Sequence, residues 1–313
     1  MIKIKENISL ALYTVYKIGG HARFFADVKK SEDIIEAIVF AKEKHLPFVI
    51  IGAGSNMLVA DKGFFGVAIH VGGGEVRTEG EKLFTDAGVM TARAVVASAK
   101  AGLSGFEWGI GVPGSIGGSI RGNAGCFGGA MKDVVENVEI FDSLSAERRM
   151  LEAARCEFSY RHSVFKKHPE WIILSAVLSL KKGDQKQIQQ RIREITEARA
   201  AKQDIGTKSC GCIFKNITWA QKGIQKTELI ERFPWLADFR DSENIPASLL
   251  IDRAELKGKR VGRVYVSPKH ANYFVNEGEA TAEEVVMLIS LVKDTVRRKF
   301  GISLEEEIQY VGF

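Results

Sequence analysis

The chain has 313 residues, with 44 Lys and Arg against 39 Asp and Glu, a formal net charge of +5 and 45% hydrophobic residues. Those figures describe a globular chain of two or three domains with a sizeable core, and no apolar run approaches the roughly 20 residues that cross a bilayer. The mild positive charge is scattered rather than gathered into a tail; this argues against nucleic acid and leaves local cations to attract small polyanions.

The N-terminus, MIKIKENISLALYTVYKIGG, has a short apolar patch without a small-residue cleavage site, so no signal peptide is expected. Ser31, Glu32 and Asp33 open a helix with Ile34, Ile35, Ile38 and Ala41 on its apolar side and His45 and Pro47 at its end. PFVII then reads as a buried strand running into GAGSNMLVADKG, where Ser55 and Asn56 could bond a phosphate. A plain strand-end turn is the alternative. Residues 83–180 read as strand- and turn-rich, with strands at VENVEIF and from Trp171.

Eleven of the 31 glycines lie between Gly102 and Gly129. Without a Cβ the backbone can come close to a phosphate or flat ring, so this run reads as a cofactor cradle. Gly109 to Gly114 satisfies G-x-G-x-x-G, but Pro113 has no N–H and no amphipathic helix is expected to follow. A Rossmann site is therefore rejected. What remains is a platform with Ser115, Ser119 and Asn123 as polar handles, or else a tight glycine-packed turn region.

Asp184 can cap a helix carrying Ile188, Ile192 and Ile195, with a polar opposite face that suits a solvated connector. The texture changes after Lys202, placing a boundary near 205. Thr281 to Glu284 is a capping box for a helix with Val285, Leu288, Val292 and Val296 inward, basic residues in its last turn and Gly301 after it. The chain ends in strand-like LEEEIQYVG. The resulting division is 1–75, 76–204, 205–300 and a C-terminal strand, 301–313.

Three segments read as chemistry rather than packing. FSYRHSVFK sets Tyr160 and Arg161 together, and a guanidinium there could clamp a carboxylate. SCGCIFKN places the Cys212 thiol, an acid with an ordinary pKa of about 8.5, beside Lys215 and Asn216. LEEEIQY, by alternation, puts Glu306 with Leu304 and Ile308, and Glu305 with Glu307 on the other face. The bland counterparts are a surface ion pair, a small buried hydrophobe and a solvated edge. The cysteines 126, 156, 210 and 212 form no CxxC pair and no Cys/His zinc spacing, which suits a reduced, cytoplasmic protein without a metal.

Taken in order, KIGG at 17–20, GAGSNML, GVPGSIGG at 111–118, NAG at 123–125, YR at 160–161, CGCIFKN, LIDRAELKG, KHANYFVN and LEEEIQYVG resemble the UDP-N-acetylenolpyruvoylglucosamine reductases, the MurB family, over nearly the whole chain. The resemblance implies an α+β fold: a two-lobed FAD-binding region of the vanillyl-alcohol-oxidase type and a third, substrate-binding domain. It implies FAD held by Gly52, Gly54, Ser55, Asn56, Met57, Leu58, Gly111, Val112, Pro113, Gly114, Ser115, Gly117, Gly118, Asn123 and Gly125, and NADPH as hydride donor.

By the same resemblance Arg161 binds the substrate carboxylate, Glu307 shares in stabilising the charge that develops there, and Cys212 gives a proton to C2 where many members have serine. Tyr160, Lys202, Asn216, Lys257 and His270 contact a UDP-sugar substrate, His270 standing where some members have glutamine. The short segment between Arg161 and Cys212 matches the second, shorter subclass, and a monomer without membrane partners is expected. Two rivals are an oxidase on the same scaffold and a nucleotide-binding module without activity.

Overall fold

The computed structural model describes residues 2–204, 206–221 and 223–313. The boundary expected near 205 falls on Ile205, outside the described residues. In the first lobe β1 (Ile4–Ser9) pairs antiparallel with β2 (His21–Val28), and α1 (Ser31–Glu43) crosses to β3 (Phe48–Ile51). After the short β4 (Met57–Val59), β5 (Phe64–Val71) enters between β2 and β3, parallel to both, giving the order β1-β2-β5-β3. Parallel neighbours need a crossover, and α1 supplies one. Ile34, Ala37, Ile38 and Ala41, at the spacing of one helical face, are buried with Val67 and Ile69 of β5.

The second lobe holds β6 (Val76–Glu79), β7 (Lys82–Asp86), α2 (Thr91–Lys100), α3 (Ile116–Arg121), β8 (Val135–Asp142), β9 (Glu147–Glu152), α4 (Val164–Lys167), β10 (Trp171–Ser179) and α5 (Gln185–Lys202). Its sheet, β9-β8-β10-β7-β6, is antiparallel throughout. β8 and β10 stand where their alternation placed them, and Asp184 caps α5 through Gln187 N at 2.9 Å.

Two helices correct the sequence reading. α2 was read as strand or turn because its buried face is built from Thr91, Ala94, Val95, Ser98 and Ala99, too weakly apolar to show a helical period. α3 begins inside the glycine run, capped by Ser115, and buries Ile116 and Ile120. Six residues are too few to register as an amphipathic pattern.

The third unit comprises α6 (Lys226–Arg232), α7 (Ala247–Arg253), an antiparallel pair β11 (Val264–Val266) and β12 (Phe274–Asn276), and α8 (Ala282–Phe300). The Thr281 side chain accepts from Glu284 N while the Glu284 carboxylate accepts from Thr281 N, both at 3.1 Å, and Gly301 closes the helix at φ 74°. Val285, Leu288, Val292 and Val296 are all buried. Each contributes about 1.5–3 kcal/mol by leaving water.

The terminal strand is shorter than expected. β13 (Gln309–Val311) alone is strand, and it lies parallel to β4 in the first lobe. Before it, Glu306 forms an isolated bridge with Phe214, carried by Glu307 N to Ile213 O at 2.8 Å and Lys215 N to Glu305 O at 2.9 Å. The chain end thus runs from the third unit back to the first glycine loop, carrying Glu305, Glu306 and Glu307 across the junction.

Candidate active site

Two glycine loops meet at the first site. Ser55 Oγ donates to Pro113 O at 3.1 Å, and a Cβ on Gly52 would fall 2.4 Å from Ser115 Oγ. Gly54 sits at φ 61°, where a Cβ would come within 2.0 Å of Tyr13 O, so the turn admits no other residue without shifting backbone. The amides of Ala53, Gly54, Ser55 and Asn56, and those of Gly114 and Ser115, find no acceptor among the described residues. Unpaired N–H groups on two touching loops suit an anion, and this pair of loops fits a diphosphate-bearing cofactor.

The second site is a cavity of about 240 Å³ lined by Tyr160, Arg161, Cys212, Phe214, Asn216, Pro246, Ser248, His270, Asn272 and Glu307. Five chain segments build it. Tyr160 and Arg161 occupy a tight turn closed by reciprocal Ser159 and His162 backbone hydrogen bonds of 3.1 and 3.0 Å, with Arg161 at φ 53°. A left-handed conformation at a bulky residue is sparsely populated and persists only where its surroundings hold it.

Here Arg161 Nη1 donates to Gly125 O at 3.2 Å and Ser163 Oγ to Arg121 O at 2.6 Å. Opposite, Asn272 brackets Phe214: its Oδ1 accepts from Phe214 N at 3.0 Å and its Nδ2 donates to Phe214 O at 2.8 Å. Tyr273 bridges Cys212. The CIFKN segment is thereby locked against KHANY.

Arg161 Nε lies 2.9 Å from Glu307 Oε1, yet this buried N–H is not aligned on an acceptor. The Arg161 guanidinium lines the cavity beside that pair, a placement that suits an incoming carboxylate. Burial pushes the Glu307 carboxyl above its ordinary pKa despite the opposing pull of Arg161 and Lys166. Burial, reinforced by the Glu307 charge, pushes the Cys212 thiol up to about 12. Burial thus moves Cys212 well above the ordinary thiol pKa of about 8.5 expected from the sequence, and it stays protonated near neutrality. Burial also lowers the His270 pKa, and its Nδ1 has no partner among the described residues.

Residues 22–146 match the family model described as FAD binding domain, and 203–311 match UDP-N-acetylenolpyruvoylglucosamine reductase, C-terminal domain. The UDP-N-acetylenolpyruvoylglucosamine reductase of Solibacter usitatus is 33% identical over 99% of this chain and 97% of its own length. That of Carboxydothermus hydrogenoformans is 36% identical over 99% and 94%. The chain belongs to the UDP-N-acetylenolpyruvoylglucosamine reductase family. The crystal structure of the Thermus caldophilus enzyme superposes with a TM-score of 0.77 at 30% identity, covering 99% of this chain and all of that one.

Within this reductase fold the expected residues do not all converge. Arg161, Cys212, Glu307, Tyr160, Asn216 and His270 line one cavity. Lys202 and Lys257 are not in its wall: Lys202 is exposed at the end of α5, and Lys257 pairs with Asp252 at 2.8 Å. Leu58 is fully buried, so only its backbone could face a cofactor. The side chains of Asn56 and Asn123 are held by protein groups, Glu307 O and Ser159 O respectively.

Three residues went unread. Arg199, one turn before Lys202 on α5, acts electrostatically on Cys212, Cys126 and Tyr273. Two cations in the last turn of one helix were visible in the sequence, but not which of them turns inward. Lys166 on α4 donates to Arg161 O at 2.8 Å and shares the field of Glu307. Asn272, in the KHANYF motif, carried no chemical signal because its work is on backbone.

Proposed function

We propose that this protein is the reductase that converts UDP-N-acetylglucosamine enolpyruvate to UDP-N-acetylmuramate for peptidoglycan precursor synthesis. FAD is its cofactor and NADPH its hydride donor. The supporting observation is the meeting of Arg161, Glu307 and Cys212 in one cavity of a chain from this family. Bound FAD supplies the hydride that reaches C3 of the enolpyruvyl group.

The chain's own residues manage the charge that follows. The Arg161 guanidinium takes the substrate carboxylate and the negative charge that spreads into it from C2, a preorganised cation in a water-poor pocket. Burial pushes the Glu307 carboxyl up, which weakens its repulsion of that anion. The Cys212 proton then leaves sulfur as the C–H bond forms at C2. Arg161 and Arg199 offset the thiolate until solvent restores its proton.

Tyr160, Asn216 and His270 would orient the sugar nucleotide. The amides of 53–56 and 114–115 would receive the cofactor diphosphate, with Met57, Gly111, Val112, Pro113, Gly117, Gly118 and Gly125 shaping the wall around it. The same reading divides the chain into cofactor lobes at 1–75 and 76–204, a substrate domain at 205–300 and a terminal segment, 301–313, that brings Glu307 to both. It describes a cytoplasmic monomer. The test is NADPH oxidation that starts only when the enolpyruvate is added, with one UDP-N-acetylmuramate formed per NADPH; consumption without that product contradicts it.

A further inference from the structure

The two cofactor loops each contain an asparagine whose side chain serves the other site. Asn56 Nδ2 donates to Glu307 O at 3.1 Å, while its own carbonyl accepts from Gln309 N at 2.9 Å. Asn123 is 5% exposed; its Nδ2 donates to Ser159 O at 2.8 Å and its Oδ1 accepts from Lys132 N at 3.0 Å. Glu307 and the Ser159–His162 turn carry the two charges of the cavity. Each charge is therefore fastened, through its backbone, to a different glycine loop. Arg121 at the end of α3 adds a parallel tie, donating from Nη1 to Gln309 Oε1 at 3.1 Å.

We propose that Asn56 and Asn123 are positioning residues for the Arg161–Glu307 pair, one amide holding each partner. Neither touches the reacting atoms. Arg161 needs such a tie because its φ of 53° is maintained only by its surroundings. Glu307 is held on its amide side by Ile213 O at 2.8 Å, and the Asn56 tie fixes its carbonyl side just before the short β13. The cofactor loops thus set the separation of Arg161, which receives the substrate carboxylate, from Glu307 beside it, and small misplacement of such groups is costly.

The inference rests on the function proposed above, and the experiment separates the two. Flavin content, melting temperature and the two half-reactions are measured for wild type, Asn56→Ala and Asn123→Gly, the glycine being free to keep the φ of 42° found at Asn123. Expected are flavin content and reduction by NADPH within about threefold of wild type, with reoxidation by UDP-N-acetylglucosamine enolpyruvate slowed roughly tenfold to a hundredfold. Asn123→Ser is read in the same way should Asn123→Gly not fold. Loss of flavin with both half-reactions equally affected would make the asparagines cofactor ligands and overturn the proposal. So would variants that reoxidise at the wild-type rate. A wild type that the enolpyruvate fails to reoxidise would instead defeat the function itself.

Discussion

Under the proposed function the cradle and the cavity would hold negative charge by opposite means. The amides at 53–56 and 114–115 carry no formal charge and are aimed by backbone conformation, whereas the cavity sets Arg161, Glu307, Cys212 and His270 side by side from segments far apart in sequence. The first device tolerates change of side chain and fails when a Cβ is added. The second depends on the chemistry of each functional atom and on remote ties to keep its geometry.

Substitutions can break that contrast at either end. The largest effect is expected for Cys212→Ala, which should slow substrate-driven flavin reoxidation by about 10²–10⁴-fold while leaving reduction by NADPH intact, as loss of a positioned acid does. Cys212→Ser should recover part of the rate. Stopped-flow absorbance reads both steps, and normal reoxidation by the alanine variant would remove Cys212 from the mechanism. Arg161→Ala comes next, at about 10²–10³-fold on the same step.

Gly54→Ala tests the other side. Its Cβ would meet the Tyr13 carbonyl at 2.0 Å, so the variant should lose flavin and melt lower, with little specific effect on the chemistry of molecules that retain cofactor. Flavin-to-protein absorbance ratio and a melting curve decide it. Lys202→Ala and Lys257→Ala, outside the cavity wall, should each change substrate KM by less than about tenfold, the scale of one exposed charge contact. A larger change would bring them back to the substrate.

A smaller effect follows from the buried thiols. Burial raises Cys156 to about 11, Cys212 to about 12 and Cys210 further still. The folded chain therefore keeps protons that the unfolded chain releases at an ordinary thiol pKa. Stability present below about pH 9 is lost as pH climbs through the raised values, and the melting temperature should fall by about 5 °C or more between pH 9 and 11. A flat profile would contradict the burial of these thiols.

The sequence disclosed the two sites unequally. Glycine loops, the α8 capping box and the β8 and β10 alternation are local patterns, visible without knowing what they pack against. α2 escaped because Thr91, Ala94, Ser98 and Ala99 make a helix face of small residues, and α3 because six residues span too little of a period. The cavity was reached through a resemblance to known reductases, since nothing in the spacing of Arg161, Cys212 and Glu307 tells that they meet. The roles of Asn56, Asn123, Asn272 and Arg199 lay deeper. Their partners are backbone groups or a helix face chosen by tertiary packing, which leaves no trace in residue type.

If the two sites serve one reaction in two steps, anaerobic titration of the purified protein will show it. A flavin absorbance that NADPH bleaches and that stoichiometric UDP-N-acetylglucosamine enolpyruvate restores, with UDP-N-acetylmuramate as the product, is the expected outcome. A flavin that stays bleached after the enolpyruvate, and recovers only when oxygen is admitted, would contradict it.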